Sequence, residues 1–211
     1  MGQMANEAAK AKGRLECLLV GKGLDIGCGQ WPITGDCDRW DIENGDAQFM
    51  VGAKKEHYDW VFSAHLLEHV KDPALAIANW WKLVKPGGVL IVLVPDEDLY
   101  EKGVWPSAHN GDHKVSFTLS KWASWSPVSV NLTDLLDVLP DHKLIDLTIQ
   151  DTGYDYTTRE GDQTAQGAVD TKPVAEASCQ MIILKNKPIA QVVTRTGYSP
   201  FTAVYNYAPD K

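Results

Sequence analysis

The run VLIVLVP, residues 89–95, limits the fold more than any other stretch of the chain. A continuous apolar run of this length is the mark of a strand buried on both faces. Something must cover each face, and the flanking sequence supplies helices. Asp72-Pro73 opens one, with Asp as N-cap and Pro in the first turn. Apolar residues at 75, 77, 80, 81, 83 and 84 keep one helical face, and KPGG (85–88) stops it.

Other strands are expected at GLDIG (23–27), DRWDI (38–42) and YDWVFSAH (58–65), with a weak one at AQFMVG (47–52). HKLIDLTIQ (142–150) and SCQMIILKN (178–186) complete the set. Helix formers crowd residues 4–12, and LECLLV (15–20) either extends that helix or forms a strand. NLTDLLDVL (131–139) reads as a further helix. Strands alternating with helices make a mostly parallel α/β sheet with helices on both faces. In such sheets ligands sit beyond the carboxyl ends of the strands. The glycine turn after residue 26 and the ends of the 38–42 and 58–65 strands should therefore share one crevice.

Segments 96–127 and 151–173 are polar and rich in turn residues, the first also in aromatics. Residues 1–187 are taken as one domain with an insertion at about 96–127, and residues 188–211 as a tail containing aromatics and prolines. The whole is 211 residues with net charge −8 and no Lys/Arg run of five or more. Phosphate neutralisation dominates nucleic-acid affinity, so long nucleic acid is not an expected partner. A small-molecule acceptor is. Cys17, Cys28, Cys37 and Cys179 form no CxxC pair, so zinc-type cysteine spacing is absent and free cytoplasmic thiols are the simplest reading. The N-terminus lacks an apolar signal region, and no run reaches the roughly 18 residues of a membrane span. The sequence sets no oligomeric state; a homodimer is one option.

In DIGCG, Gly27 and Gly29 follow a strand directly. Glycine lets the backbone turn sharply and lets a ligand approach without a Cβ in the way. By itself this is a weak signal, equally compatible with a plain tight turn. The dinucleotide fingerprint needs a third glycine opening a helix, but Gln30-Trp31-Pro32 follows instead. Asp25 would repel a pyrophosphate and suit a cation. Asp41 can accept both hydroxyls of a ribose or can cap a turn.

LDIGCG, WDI, YDWVFSAHLLEHVKDP and LVKPGGVLIVLVPD, in that order, resemble a class I S-adenosylmethionine-dependent methyltransferase, most similar to a compact methyltransferase type 11-like branch. The resemblance covers about residues 22–98 and weakens toward 186. It implies a Rossmann-like, mostly parallel seven-stranded sheet ending in a reversed hairpin, with S-adenosyl-L-methionine as cofactor. It also implies that the turn Asp25, Gly27, Cys28 and Gly29 lines the amino-acid part of that cofactor, that Asp41 holds the ribose hydroxyls, and that Asp46 and Ala47 contact the adenine. Ser63, Ala64 and His65 would lie under the methionine moiety. Only eleven residues separate Gly29 from Asp41, so the family's first helix is absent or reduced to a turn, and Trp31 takes a larger share of the binding.

A sulfonium methyl is already electrophilic, so the protein must mainly align an acceptor atom at about 3 Å. A hydroxyl acceptor, as on a sugar or glycan precursor, also needs a base. VWPSAHNGDHKVSF (104–117) follows the last parallel strand, where the acceptor would enter. His113 is the first candidate base and His109 the second, with Asp112 beside them, while Trp105 and Lys114 would contact the acceptor. His109, Asp112 and His113 could instead take a divalent metal, although no metal is assigned, or the segment could be a solvated loop. HLLEHV (65–70) carries a His-x-x-Glu-His pattern that also resembles an inverted zinc-protease motif, a reading disfavoured by its place after a strand. The rival to a methyl-transferring enzyme is a cofactor-binding protein with a regulatory role or lost catalysis.

Overall fold

The apolar run at 89–95 lies at the centre of the sheet. In the computed structural model, which describes residues 3–158, 161–164 and 175–187, eight strands occur. These are β1 (Gly23–Ile26), β2 (Asp38–Trp40), β3 (Tyr58–Ala64), β4 (Val84–Pro95), β5 (Ser116–Thr118), β6 (Ser129–Asn131), β7 (His142–Gln150) and β8 (Ser178–Lys185). Six of them form the main sheet, in the order β2-β1-β3-β4-β8-β7. The first four run parallel, and β8 is antiparallel to both of its neighbours. β5, inside the stretch that sequence marks as an insertion, pairs with β6 just after it in a separate two-stranded parallel ribbon.

Both faces of β4 are covered. Helix α1 (Gln3–Leu15) sends Ala11 and Leu15 against Trp60, Phe62, Ile91 and Leu93 on one side. Helix α2 (Pro73–Trp81) sends Ile77 and Trp80 against Val61, Leu90 and Val92 on the other. The alternation in β3 therefore sorts Trp60 and Phe62 from Val61 across the sheet. Asp72 caps α2 as its sequence implies, accepting the Leu75 N–H at 2.9 Å. Trp60, Trp80 and Trp81 are core residues, whereas Trp31, Trp122 and Trp125 are exposed. The four cysteines are unpaired thiols.

Three expectations are corrected. The sheet has six strands among the described residues, not seven, because residues 47–52 form turns. Asp46 starts those turns: its side chain accepts the Gln48 N–H at 2.8 Å and its carbonyl accepts the Phe49 and Met50 N–H groups. The Gln48 side chain then accepts the N–H groups of Lys71 and Asp72, tying the turns to the start of α2 rather than to the sheet edge. The helix expected at 131–139 is a 3₁₀ helix, Leu132–Val138. The 15–20 stretch extends neither as helix nor as strand beyond Leu15. The tail from 188 onward lies outside the described residues.

Candidate functional site

β1, β2 and β3 are parallel neighbours, so their carboxyl ends open on one side. The chain leaves β1 through Gly27 at φ +78° and Gly29 at φ +54°. Gly27 must be glycine on two counts: the sign of φ, and the Leu66 side chain that an added Cβ would meet at 2.8 Å. At Gly29 an added Cβ meets nothing within 4 Å, so the backbone there borders open space. No helix follows; residues 27–37 pass to β2 through turns.

Side chains behind the turn hold it in place. Asp41 follows β2 directly, and its Oδ2 accepts the Gly29 N–H at 2.6 Å while its Oδ1 accepts the Ile42 N–H at 2.8 Å. Asn44 returns a bond to the Asp41 N–H, so Asp41 is also the cap of the 3₁₀ turn Ile42–Asn44. Each carboxylate oxygen can accept two bonds, so the cap leaves capacity for ligand hydroxyls. Arg39, which sequence reading passed over, donates Nη2 to the Gly29 carbonyl and Nε to Cys28 Sγ at 3.2 Å. Its exposed position in a strand gives no sequence signal of that role.

Asp25 lies beneath the turn, 2% exposed. Its Oδ2 accepts the Ile33 N–H at 2.7 Å. Burial pushes its pKa up to about 7, against the pull of that bond and of the Arg39 charge. A cation arriving beside this carboxylate would stabilise its ionised form. The turn, the open space at Gly29 and an under-compensated acid make a cradle suited to a positively charged ligand. Trp31 is half-exposed on the same loop. Asp46 and Ala47 follow at the edge, with the Ala47 carbonyl accepting Trp80 Nε1 at 2.8 Å.

The 63–65 segment is less open than sequence implies. Ser63 is buried, and its hydroxyl donates to the Ile26 carbonyl at 3.0 Å, so it locks β3 to β1 rather than facing a ligand. Ala64 is half-buried. His65 takes a left-handed conformation, φ +54°, with Nε2 3.4 Å from Ser178 Oγ and Nδ1 3.6 Å from Glu68 Oε1.

The 104–117 segment packs over the turn after β3, but its residues do not gather as the sequence suggested. His113 points inward: its side chain is 2% exposed, with Nδ1 2.6 Å from Glu101 Oε1. His109 packs its ring edge on Tyr100, centroids 5.5 Å apart. Asp112 bonds Lys114 Nζ at 2.6 Å and stands 3.1 Å from His69 Nδ1; the Lys114 bond holds its carboxyl below the usual range. Trp105 is half-buried. The expected trio of His109, Asp112 and His113 is therefore not a ligand set. His113 instead meets Glu68 and His69.

The insertion is anchored by Glu97, which is fully buried. It accepts bonds from Lys121 Nζ at 2.7 Å, Ser124 Oγ at 2.7 Å, Ser129 Oγ at 2.6 Å and Ser116 Oγ at 3.2 Å. Burial alone would raise its pKa, but the Lys121, Ser129 and Ser124 bonds outweigh that and hold it below the ordinary value.

Residues 34–92 match the family described as methyltransferase domain. No curated protein matches the sequence. Among solved structures, one from work on conversion of a disulfide bond into a thioacetal group during echinomycin biosynthesis aligns with TM-score 0.53 at 14% identity, covering 83% of this chain and 82% of the other. A Thermotoga maritima S-adenosylmethionine-dependent methyltransferase, titled a possible histamine N-methyltransferase, aligns with TM-score 0.53 at 17% identity, covering 88% and 90%. At these identities the structures speak for the fold, and the sequence match speaks for residues 34–92. No helix among the described residues is long and apolar enough to cross a membrane. The parallel sheet with its reversed strand therefore has the fold of S-adenosylmethionine-dependent methyltransferase structures, and one stretch of it matches a methyltransferase domain.

Proposed function

We propose that the protein transfers a methyl group from S-adenosylmethionine to a small-molecule acceptor, with a sugar or glycan-precursor hydroxyl as the candidate class. One observation carries the reading. An open glycine cradle at Gly29 follows a strand that carries a buried carboxylate, Asp25, whose pKa burial pushes up to about 7, and a cation bound beside it would offset that burial.

The cofactor, when bound, supplies a methyl group already activated on a positive sulfur. The residues assigned to hold it are Asp25 and the 27–29 backbone for the amino-acid end, Asp41 for the ribose hydroxyls, Asp46 and Ala47 for the adenine edge, and Trp31 as a flanking wall. Asp41 does two jobs in this reading. It fixes Gly29 through one oxygen and offers its remaining lone pairs to a diol. His65 stays assigned to the methionine side; Ser63 contributes through the strand pairing it locks.

The acceptor side rests on Trp105, Lys114 and the 104–117 segment. His113 Nδ1 is held by Glu101 and its side chain is 2% exposed, so its Nε2 is shut off from solvent, while the half-buried His109 ring packs on Tyr100. A hydroxyl acceptor in this reading must reach one of these two imidazoles for its proton. The burial of His113 gives substance to a second reading, a cofactor-binding protein without transferase activity.

Incubation of the purified chain with methyl-labelled cofactor and a panel of sugar, amine and thiol acceptors separates the two. Label in an acceptor, lost in Asp25→Asn, supports the enzyme. Tight cofactor binding without transfer to any acceptor or cell extract supports the second reading, and absence of cofactor binding refutes both.

A further inference from the structure

Where the turn after β3 meets the segment after β4, two histidines and two buried carboxylates converge. Glu68 and His113 have side chains only 2% exposed, and His69 is 24% exposed. Glu68 Oε1 lies 3.8 Å from His69 Nε2 and 4.0 Å from His113 Nε2. These separations exceed a hydrogen bond. All three atoms lie within 4.8 Å of one another.

Each histidine is oriented from behind. His69 Nδ1 stands 3.1 Å from Asp112 Oδ2, and His113 Nδ1 stands 2.6 Å from Glu101 Oε1. A carboxylate on Nδ1 fixes the tautomer that carries its proton there, which leaves the Nε2 lone pair free. Both Nε2 atoms then face Glu68 Oε1, so three electron-rich atoms surround one point. Glu68 Oε2 and Glu101 Oε2 are buried without a hydrogen-bond partner. Such a concentration of acceptors is unfavourable unless a cation sits among them. Lys114 does not fill that role; its Nζ turns to Asp112.

We propose that Glu68 Oε1, His69 Nε2 and His113 Nε2 bind one divalent transition-metal ion of zinc type, with Asp112 and Glu101 orienting the two imidazoles. Two nitrogens and one carboxylate oxygen are a ligand set that zinc accepts, leaving a fourth position open. Ligands of one tetrahedral zinc stand roughly 3.3–3.6 Å apart when each bond is about 2.0–2.2 Å. The two Glu68 separations, 3.8 and 4.0 Å, contract by a few tenths of an ångström to reach that range, and the imidazole nitrogens, which stand within 4.8 Å of each other, close with them. The ion joins the turn after β3 to the acceptor-side segment, reinforcing the Lys114 N–H to Glu68 carbonyl bond of 2.7 Å. The site borders the proposed methyl-transfer machinery, with Glu68 Oε1 3.6 Å from His65 and His113 in the acceptor-side segment, but metal titration reads it without cofactor or acceptor, so its failure leaves that reading intact.

The test uses the full chain, stripped with chelator and titrated with Zn²⁺ against a chromophoric competitor, and separately with Co²⁺ by visible absorption. The expected result is one equivalent bound with high affinity and an intense, tetrahedral-type cobalt band. Glu68→Gln and His113→Gln should abolish both signals, and His109→Gln should leave them unchanged. Asp112→Asn alters an exposed carboxylate and spares the core; it should weaken affinity about 10- to 100-fold. The proposal is overturned if the wild-type chain takes up no stoichiometric metal, or if Glu68→Gln and His113→Gln keep full affinity. Should those two core variants fail to fold, unchanged affinity in Asp112→Asn overturns it equally.

Discussion

Acidification should release the cofactor by titrating Asp25, and the size of the effect follows from its burial. The carboxylate is 2% exposed and its pKa is pushed up to about 7, with desolvation the largest cause. If only the ionised form pairs with the cofactor's ammonium group, affinity tracks the ionised fraction. Between about pH 5.5 and about pH 6.5 that fraction rises roughly eightfold, and affinity should rise with it before levelling off above about pH 7.5. Measurement stops near that point because an α-amino group itself loses its proton at about 7.7–8.0. Stability moves in the opposite direction. A raised acid pKa means the unfolded state ionises first, so this group's contribution is intact below the ordinary value of 3.8 and is lost as pH rises toward about 7. The full loss is on the order of 4 kcal/mol, one factor of ten for each pH step between the two values. Asp25→Asn removes that cost while keeping an acceptor for the Ile33 N–H. At about pH 7.5 the variant should therefore melt higher by roughly 10 °C yet bind S-adenosylhomocysteine or S-adenosylmethionine at least tenfold more weakly, with no dependence on pH. Calorimetric titration across the pH series reads the binding, and thermal unfolding without ligand reads the stability. A wild-type affinity that stays flat over the series, or a variant that binds as tightly as wild type, refutes the assignment of Asp25 to the ammonium group.

Other consequences follow from the same geometry. Asp41→Ala removes the acceptor for the Gly29 and Ile42 N–H groups along with the diol contact, so calorimetry should show affinity down by more than tenfold and thermal unfolding a stability loss of about 1–2 kcal/mol. Gly29→Val places a branched side chain in the open cradle at φ +54°; equilibrium binding should vanish at a stability cost of about 1–3 kcal/mol in denaturant unfolding. Glu97→Gln breaks the ion pair with Lys121 inside the insertion, and scanning calorimetry should record a loss of about 2 kcal/mol near neutral pH. Because the Glu97 pKa is depressed, the wild-type advantage is present above the ordinary glutamate value of 4.5 and should fade as pH falls through the lower folded value.

Local chemistry was legible wherever one residue type decides the conformation. Asp72-Pro73 specifies a helix start through a side-chain bond and a fixed φ, and both operate within one turn of chain. VLIVLVP specifies burial because seven apolar residues leave no face to hydrate. Gly27 and Gly29 were legible as a turn for the same reason, since few other residues accept their φ. The 47–52 strand failed where composition and hydrogen bonding disagree: Phe49, Met50 and Val51 favour extended chain, but Asp46 offers the backbone turn bonds that win, and Gln48 ties the turns to the distant Lys71 and Asp72 N–H groups.

The acceptor side was illegible for a different reason. The concentration of histidines at 104–117 is visible in the sequence, but which way each ring turns depends on partners distant in the chain. His113 is drawn inward by Glu101 and toward Glu68, and Asp112 reaches back to His69 across 43 positions. Those pairings exist only after β3 and β4 have paired and brought their following loops together. The glycine turn and its carboxylates are built from near neighbours in sequence, and the 104–117 cluster from neighbours in space. That division explains why the carboxylate under the glycine turn could be named from sequence, whereas the Glu68–His69–His113 cluster required the fold.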